Sequence, residues 1–192
     1  MCLAYTLMHT MTQEEAQAVL DEYQLVFAGS FGELMRAKLG LETEQEEDGK
    51  LVSTLFGLLQ ANKVDYTIFF RRLGGIKKAK AETNTTPNAV RDLFADLASF
   101  DAWAALYRER LTGEASDDAE RQARMNRVNP KYVLRNYLAE NAIRKARDER
   151  DFAEVNRLLK VLQHPFDEQP EMEDYAALPP DWGKHLLVSC SS

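Results

Sequence analysis

The chain has 192 residues and a net charge of −7. That acidity argues against nucleic acid and anionic membrane as partners, since both need a basic face, and no apolar run approaches the roughly 20 residues of a membrane span. A chain of this length buries roughly 70% of its unfolded surface, enough for a real core.

The first ten residues, MCLAYTLMHT, carry no n-region charge and turn polar at His9 and Thr10, so they do not read as a signal peptide. A cytoplasmic location is the expectation. Cys2 and Cys190 lie near opposite ends, with no CxxC spacing, so no zinc site is expected. Widely spaced cysteines in a cytosolic protein are ordinarily free thiols.

Thr12-Gln13-Glu14-Glu15 matches a capping box. Ala16, Val19, Leu20, Tyr23, Val26 and Phe27 follow at helical spacing, and Leu34, Met35 and Leu39 continue that face. Gly29 and Gly32 weaken this run without ending it and suit close helix packing; Gly40 is the predicted C-cap. Glu42 to Asp48 reads as a solvated acidic connection or first helical turn. Leu51, Val52, Leu55, Leu58 and Leu59 give the next amphipathic helix. Asp65 caps a short one from Tyr66 to Leu73, stopped by Gly74-Gly75.

Ile76 to Thr85 lacks periodicity and reads as a mobile loop, with Lys77, Lys78 and Lys80 solvated. Thr86-Pro87 gives a cap-plus-proline signal before Val90, Leu93, Phe94 and Leu97. Phe100, Trp103, Ala104, Leu106, Tyr107 and Leu111 then form an aromatic core stripe after Ser99 or Asp101, and Gly113 breaks it. Ser116-Asp117-Asp118 starts a polar surface helix through Met125.

Asn129-Pro130 carries the signals of an N-cap and first helical residue. They predict one long helix with Val133, Leu134, Tyr137, Leu138, Ala142 and Ala146 on a face, and Glu140 paired to Arg144. It breaks near Asp148 to Asp151. Phe152, Val155, Leu158, Leu159 and Leu162 complete the regular structure. From His164 onward Pro165, Pro170, Pro179 and Pro180 forbid a continuous helix, while Phe166, Tyr175 and Trp182 are spaced as anchors. No strand pattern or repeat is present. The prediction is an all-α fold of seven or eight helices over residues 1–163, with an extended tail over 164–192.

No catalytic constellation emerges from these residues. There is no G-x-G-x-x-G, no G-x-x-x-x-G-K-[ST], no H-R-D and no H-E-x-x-H; His9, His164 and His185 are scattered. Asp151-Phe152-Ala153 lacks the glycine of a kinase metal-binding triplet, and Gly29-Ser30-Phe31-Gly32 follows no strand. The segment therefore presents no catalytic, cofactor or metal residues of its own.

The C-terminal third nevertheless resembles the selenoprotein O (SelO) family. Asn129-Pro130 with Val133-Leu134-Arg135-Asn136-Tyr137-Leu138-Ala139, the stretch Leu158 to Phe166, the Pro179-Pro180-Asp181-Trp182 step and the ending Val188-Ser189-Cys190-Ser191-Ser192 carry the likeness. It extends upstream through Asp65-Tyr66-Thr67 with Phe70-Arg71 and the Tyr23 to Leu41 helix. The resemblance implies a kinase-like protein that transfers AMP from ATP to protein Ser, Thr or Tyr hydroxyls with magnesium or manganese. It also implies that the ATP- and metal-binding parts precede this segment, so that the segment braces a kinase-like N-terminal part of the same protein and does not catalyse alone. Cys190 matches the family's selenocysteine or cysteine position, which implies a redox tail pairing with a cysteine of that body. Self-association through an exposed interface is a further expectation. The alternative is a stand-alone helical interaction or adaptor module. Neither reading invokes nucleic acid or membrane.

Overall fold

The computed structural model describes residues 11–79, 90–184 and 186. Seven α-helices run through them, and no strand occurs among the described residues. They are α1 (Gln13–Leu39), α2 (Asp48–Ala61), α3 (Tyr66–Leu73), α4 (Leu97–Thr112), α5 (Asp118–Val128), α6 (Asn136–Arg144) and α7 (Ala153–Gln163). A 3-10 turn, Val90–Leu93, precedes α4, and a π turn, Lys145–Glu149, follows α6. The all-α prediction holds.

Helix α1 starts as its sequence predicts. The Glu15 N–H donates to Thr12 Oγ1 at 3.3 Å, and the Thr12 N–H donates to Glu15 Oε2 at 2.8 Å. The helix passes through both glycines and stops at Gly40, whose φ of 73° is left-handed. A Cβ there would also lie 2.6 Å from Arg121 Cγ and 2.8 Å from Met125 Sδ, so conformation and the close approach of α5 both require glycine. Gly29 and Gly32 do not serve close packing: a Cβ at Gly29 would meet nothing, and one at Gly32 only the same helix's Arg36.

The main core gathers the C-terminal end of α1 with α2, α3, α4 and Met125 of α5. Leu39, Leu55, Phe69, Leu73, Trp103, Tyr107 and Leu111 are fully buried. Each such side chain contributes about 1.5–3 kcal/mol relative to exposure. The α4 aromatic stripe lies inside, and its polar handles are satisfied: Trp103 Nε1–H donates to the Leu51 carbonyl at 3.1 Å and the Tyr107 hydroxyl to the Leu39 carbonyl at 2.6 Å. A smaller core joins Tyr137, Leu138 and Ala142 of α6 to Leu158 of α7.

Several local expectations are corrected by long-range contacts. Asn129 is the C-cap of α5, not an N-cap. It is fully buried, with Nδ2 donating to the Lys38 carbonyl at 2.9 Å and Oδ1 accepting from Lys38 Nζ at 3.1 Å. Residues 130–135 are non-helical, and α6 begins only at Asn136. The Lys131 and Tyr132 N–H groups donate to the Pro165 carbonyl at 2.8 and 3.1 Å, and Arg135 Nη2 reaches Asp65 Oδ1 at 3.0 Å. These bonds outweigh the local cap-plus-proline signal, and Val133 and Leu134 leave the helical face. The Glu140–Arg144 pair forms at 2.6 Å as expected.

Asp96 caps α4 in place of Ser99 or Asp101; its carboxylate accepts the Ser99 N–H at 3.1 Å, while Asp101 pairs with Arg91. Asp48 is not solvated like the acids before it, because it is buried against Arg110. Lys78 is pinned, not loose: Nζ donates to the Glu114 carbonyl at 2.7 Å and to the Ser116 carbonyl, and its N–H to Asp118 Oδ1 at 3.1 Å. Helix α5 is not purely superficial, since Arg121 and Met125 are fully buried. Lys80 and the Thr86-Pro87 signal lie outside the described residues.

The described part of the tail, through Lys184, carries short turns and is not fully extended. It forms 3-10 turns over Pro170–Ala176 and Asp181–Gly183, with Met172 buried against Tyr132 and Val161.

Candidate interaction face and tail clasp

Among the described residues no three His, Cys, Asp or Glu side chains gather to hold a metal ion. Cys190, the redox candidate, lies outside the described residues, as do Cys2, His9 and His185. His164 sits exposed at the end of α7, 3.6 Å from Asp167. The Asp151-Phe152-Ala153 triplet is a helix start: Asp151 Oδ1 accepts the Ala153 N–H at 2.8 Å.

Two buried arginines act as joints. Arg110 Nε donates to Asp48 Oδ1 at 2.6 Å, Nη1 to Glu114 Oε1 at 2.7 Å and Nη2 to the Thr43 carbonyl at 2.6 Å, tying α4 to the α1–α2 connection. Burial pushes the Glu114 carboxyl up, but the Thr43 hydroxyl, the Glu42 N–H and Arg110 together hold it below its ordinary value. Arg121 pairs with Asp118 at 2.7 Å and donates to the Ile76 carbonyl. Their positions carry a faint sequence signal. Arg110 falls three after Tyr107 and seven after Trp103, and Arg121 four before Met125, so each lies on an apolar face.

A second set of charges clasps the tail. Arg71 Nη1 donates to the Asn126 and Asn129 carbonyls at 3.0 and 3.1 Å, which aims Nη2 at Glu168, 2.5 Å away. Lys131 reaches Glu168 at 2.6 Å and also bonds Glu173. Lys131 and Arg71 hold the Glu168 carboxyl below its usual range against the opposing effect of burial. With Arg72 these groups line a cleft of about 330 Å³ in which Arg71 and Lys131 are matched by tail carboxylates. Of the three predicted anchors, Tyr175 is half-buried and donates to Glu154 at 2.7 Å. Trp182 stands edge-on to Tyr137 with centroids 6.2 Å apart, and the Arg144 guanidinium lies 5.7 Å over its ring. Trp182 and Phe166 both stay exposed. The residues that pin the tail most tightly, Met172, Gly183 and Glu168, are ones that aromatic spacing alone does not reveal. Gly183 touches Tyr137 so closely that a Cβ would stand 2.7 Å from Tyr137 Cβ.

An exposed apolar stripe runs along α1. Val19, Tyr23, Val26, Phe27, Phe31 and Leu34 share one side of a helix about 40 Å long, yet all are exposed; Tyr23 is 59%, Val26 61% and Leu34 65% accessible. Their rings start a ladder that runs inward: Tyr23, Phe27, Phe31, Phe56, Tyr66 and Phe70 follow one another with centroids 4.6–6.2 Å apart. Lys38 Nζ lies 5.4 and 5.1 Å over the Tyr66 and Phe70 rings, and burial lowers its pKa. The ladder passes continuously from solvent into the core. An apolar stripe of this extent marks a surface built to be covered.

The family described as protein adenylyltransferase SelO matches residues 1–163. Relatives named protein nucleotidyltransferase YdiU, from Herminiimonas arsenicoxydans and Burkholderia vietnamiensis, are each 56% identical over 179 residues, 93% of this chain. The same matches cover 35% and 34% of those proteins, so the chain spans about a third of the length of the curated relatives it matches. On the extent of that family match, and on the identity that runs along nearly all of its length, the chain belongs to the SelO family.

Proposed function

We propose that this chain is the C-terminal helical part of a SelO-type protein adenylyltransferase and braces a kinase-like catalytic body. One observation carries the reading: 93% of this chain matches only 35% of a family-length relative. AMP transfer from ATP to protein hydroxyls, with magnesium or manganese, belongs to the remainder of such a protein. Two features of the described residues support leaving ATP and its metal to that remainder. These residues offer no metal-holding carboxylate cluster, and the cations Arg71 and Lys131 are occupied by Glu168 and Glu173. No chemical step is therefore assigned to this segment.

Its work in this reading is mechanical. Helices α2 to α5 supply the base, α1 presents an apolar face, and the tail is clasped as far as Leu186, whose carbonyl accepts from Asn136 Nδ2 at 2.9 Å. Cys190 is proposed as the redox point of that tail, with its partner thiol in the kinase-like body. Non-reducing peptide mapping of an oxidised family-length protein tests this; recovery of the Cys190 equivalent only as a free thiol contradicts it. No described helix is long and apolar enough to cross a membrane, which agrees with the proposed cytoplasmic site of action.

The exposed stripe of α1 also favours a second reading, a stand-alone helical adaptor. Genomic sequence upstream of Met1 separates the two: an open frame encoding a glycine-rich kinase-like lobe supports the brace, and a stop codon with a ribosome site supports the adaptor. Calorimetric titration of the isolated chain with Mg-ATP tests the division of labour. The expected result is no saturable heat; a saturable micromolar isotherm contradicts it.

A further inference from the structure

The chemistry of the surface that covers α1 can be read from the helix. Val19, Tyr23, Val26, Phe27, Phe31 and Leu34 fall at i, i+4, i+7, i+8, i+12 and i+15, a single stripe at helical period. Glu15, Glu22 and Glu33 fall together along one margin of it, beside Val19 and Val26. Glu15 is engaged by Thr12 in the capping box. Glu22 and Glu33 are exposed, and neither has a cationic partner among the described residues. The opposite margin carries Gln17 and Gln24, and the nearest carboxylate there, Asp21, accepts from Gln17 Nε2 at 2.8 Å. The stripe is thus apolar with one acidic edge.

A second copy of this chain is a poor occupant. The cations of this helix, Arg36 and Lys38, lie in its last turn and are engaged by Glu44 and Asn129, so along the stripe itself another copy brings no free cation to Glu22 or Glu33. Family length points elsewhere. About two thirds of each matched relative lies outside the part that corresponds to this chain. We infer that the α1 stripe seats in an apolar groove edged on one side by Lys or Arg, carried by the part of a SelO-family polypeptide outside this chain. The inference rests on the bracing role proposed above and adds which face is used and what charge meets it. Apolar contact with Tyr23, Phe27 and Phe31 supplies the hold, and the charged edge fixes which way the helix lies.

The test co-expresses the tagged full chain with the remaining two thirds of the Herminiimonas arsenicoxydans relative and measures the partner recovered. The expected result is a stoichiometric complex. Phe27→Glu is expected to reduce recovery at least tenfold with an unchanged melting temperature, because Phe27 is 56% exposed and outside the core. Joint Glu22→Lys and Glu33→Lys is expected to reduce recovery at least threefold and to abolish its sensitivity to salt. If the wild-type chain recovers the partner and Phe27→Glu does so equally, the bracing role stands and this face is wrong. If the charge reversal changes nothing, the basic edge is wrong. If the wild-type chain recovers no partner, soluble or not, both readings fall. Sedimentation of the chain alone as a dimer that Phe27→Glu converts to a monomer makes a second copy the occupant and overturns the inference.

Discussion

Two stretches carry similar apolar patterns and meet opposite fates. In α4, Phe100, Trp103, Tyr107 and Leu111 recur at helical spacing and are all buried. In α1, Tyr23, Phe27, Phe31 and Leu34 recur in the same way and are all exposed, although Met35 and Leu39, on the following turn, are buried. Periodicity says that a face is to be covered; it does not say by what. The α4 stripe is covered by α2, α3 and α1 of its own chain, and its Trp103 and Tyr107 find backbone carbonyls. The α1 stripe has rings in line with that core but extends beyond it. One half of the comparison is folding; the other is the face proposed to bind.

Substitution separates the halves most sharply in the core. Trp103→Ala removes a buried ring together with its bond to the Leu51 carbonyl, so it is expected to cost about 3–5 kcal/mol in urea unfolding. Arg110→Met comes next. It strands Asp48 and Glu114 as buried carboxylates, and an expected loss of about 3 kcal/mol follows from leaving such charges unpaired; restoration by Asp48→Asn with Glu114→Gln sharpens the assignment.

Asp65 gives a smaller, pH-dependent effect. Burial pushes its carboxyl up, but Arg135 and the Ile68 N–H outweigh that and hold it below the ordinary value. A depressed folded pKa contributes stability above the unfolded value, about 3.9, and loses it as pH falls through the folded one. Asp65→Asn is therefore expected to cost about 2 kcal/mol at pH 7, measured by urea unfolding, and to flatten the fall in stability below pH ~4. An unchanged acid limb contradicts the pairing. Smallest of all is Phe27→Ala, expected to change unfolding free energy by less than about 0.5 kcal/mol. A core-sized loss there would mean that the α1 stripe is covered within the chain after all.

The helices were legible where local chemistry decides them. Thr12 and Glu15, Asp65, Gly40 and Gly113 mark real ends because caps and left-handed turns are made by neighbours in sequence. Asn129 misled because its side chain is spent on Lys38, 91 residues away, and because Arg135 answers to Asp65. The clasp was hidden for the same reason: Arg71 and Glu168 are 97 residues apart, and nothing near either announces the other. The family resemblance was legible in the C-terminal third, whereas the exposure of α1 was not, since an apolar stripe looks identical whether or not its cover is present.

Amide hydrogen exchange along α1 tests the central claim most directly, comparing the chain alone with the chain co-purified with the remainder of the Herminiimonas arsenicoxydans relative. Peptides from Val19 to Leu34 are expected to exchange at least tenfold more slowly in the complex, while peptides spanning Trp103 and Tyr107 stay equally protected in both. Equal rates for the α1 peptides in the two samples would contradict the account.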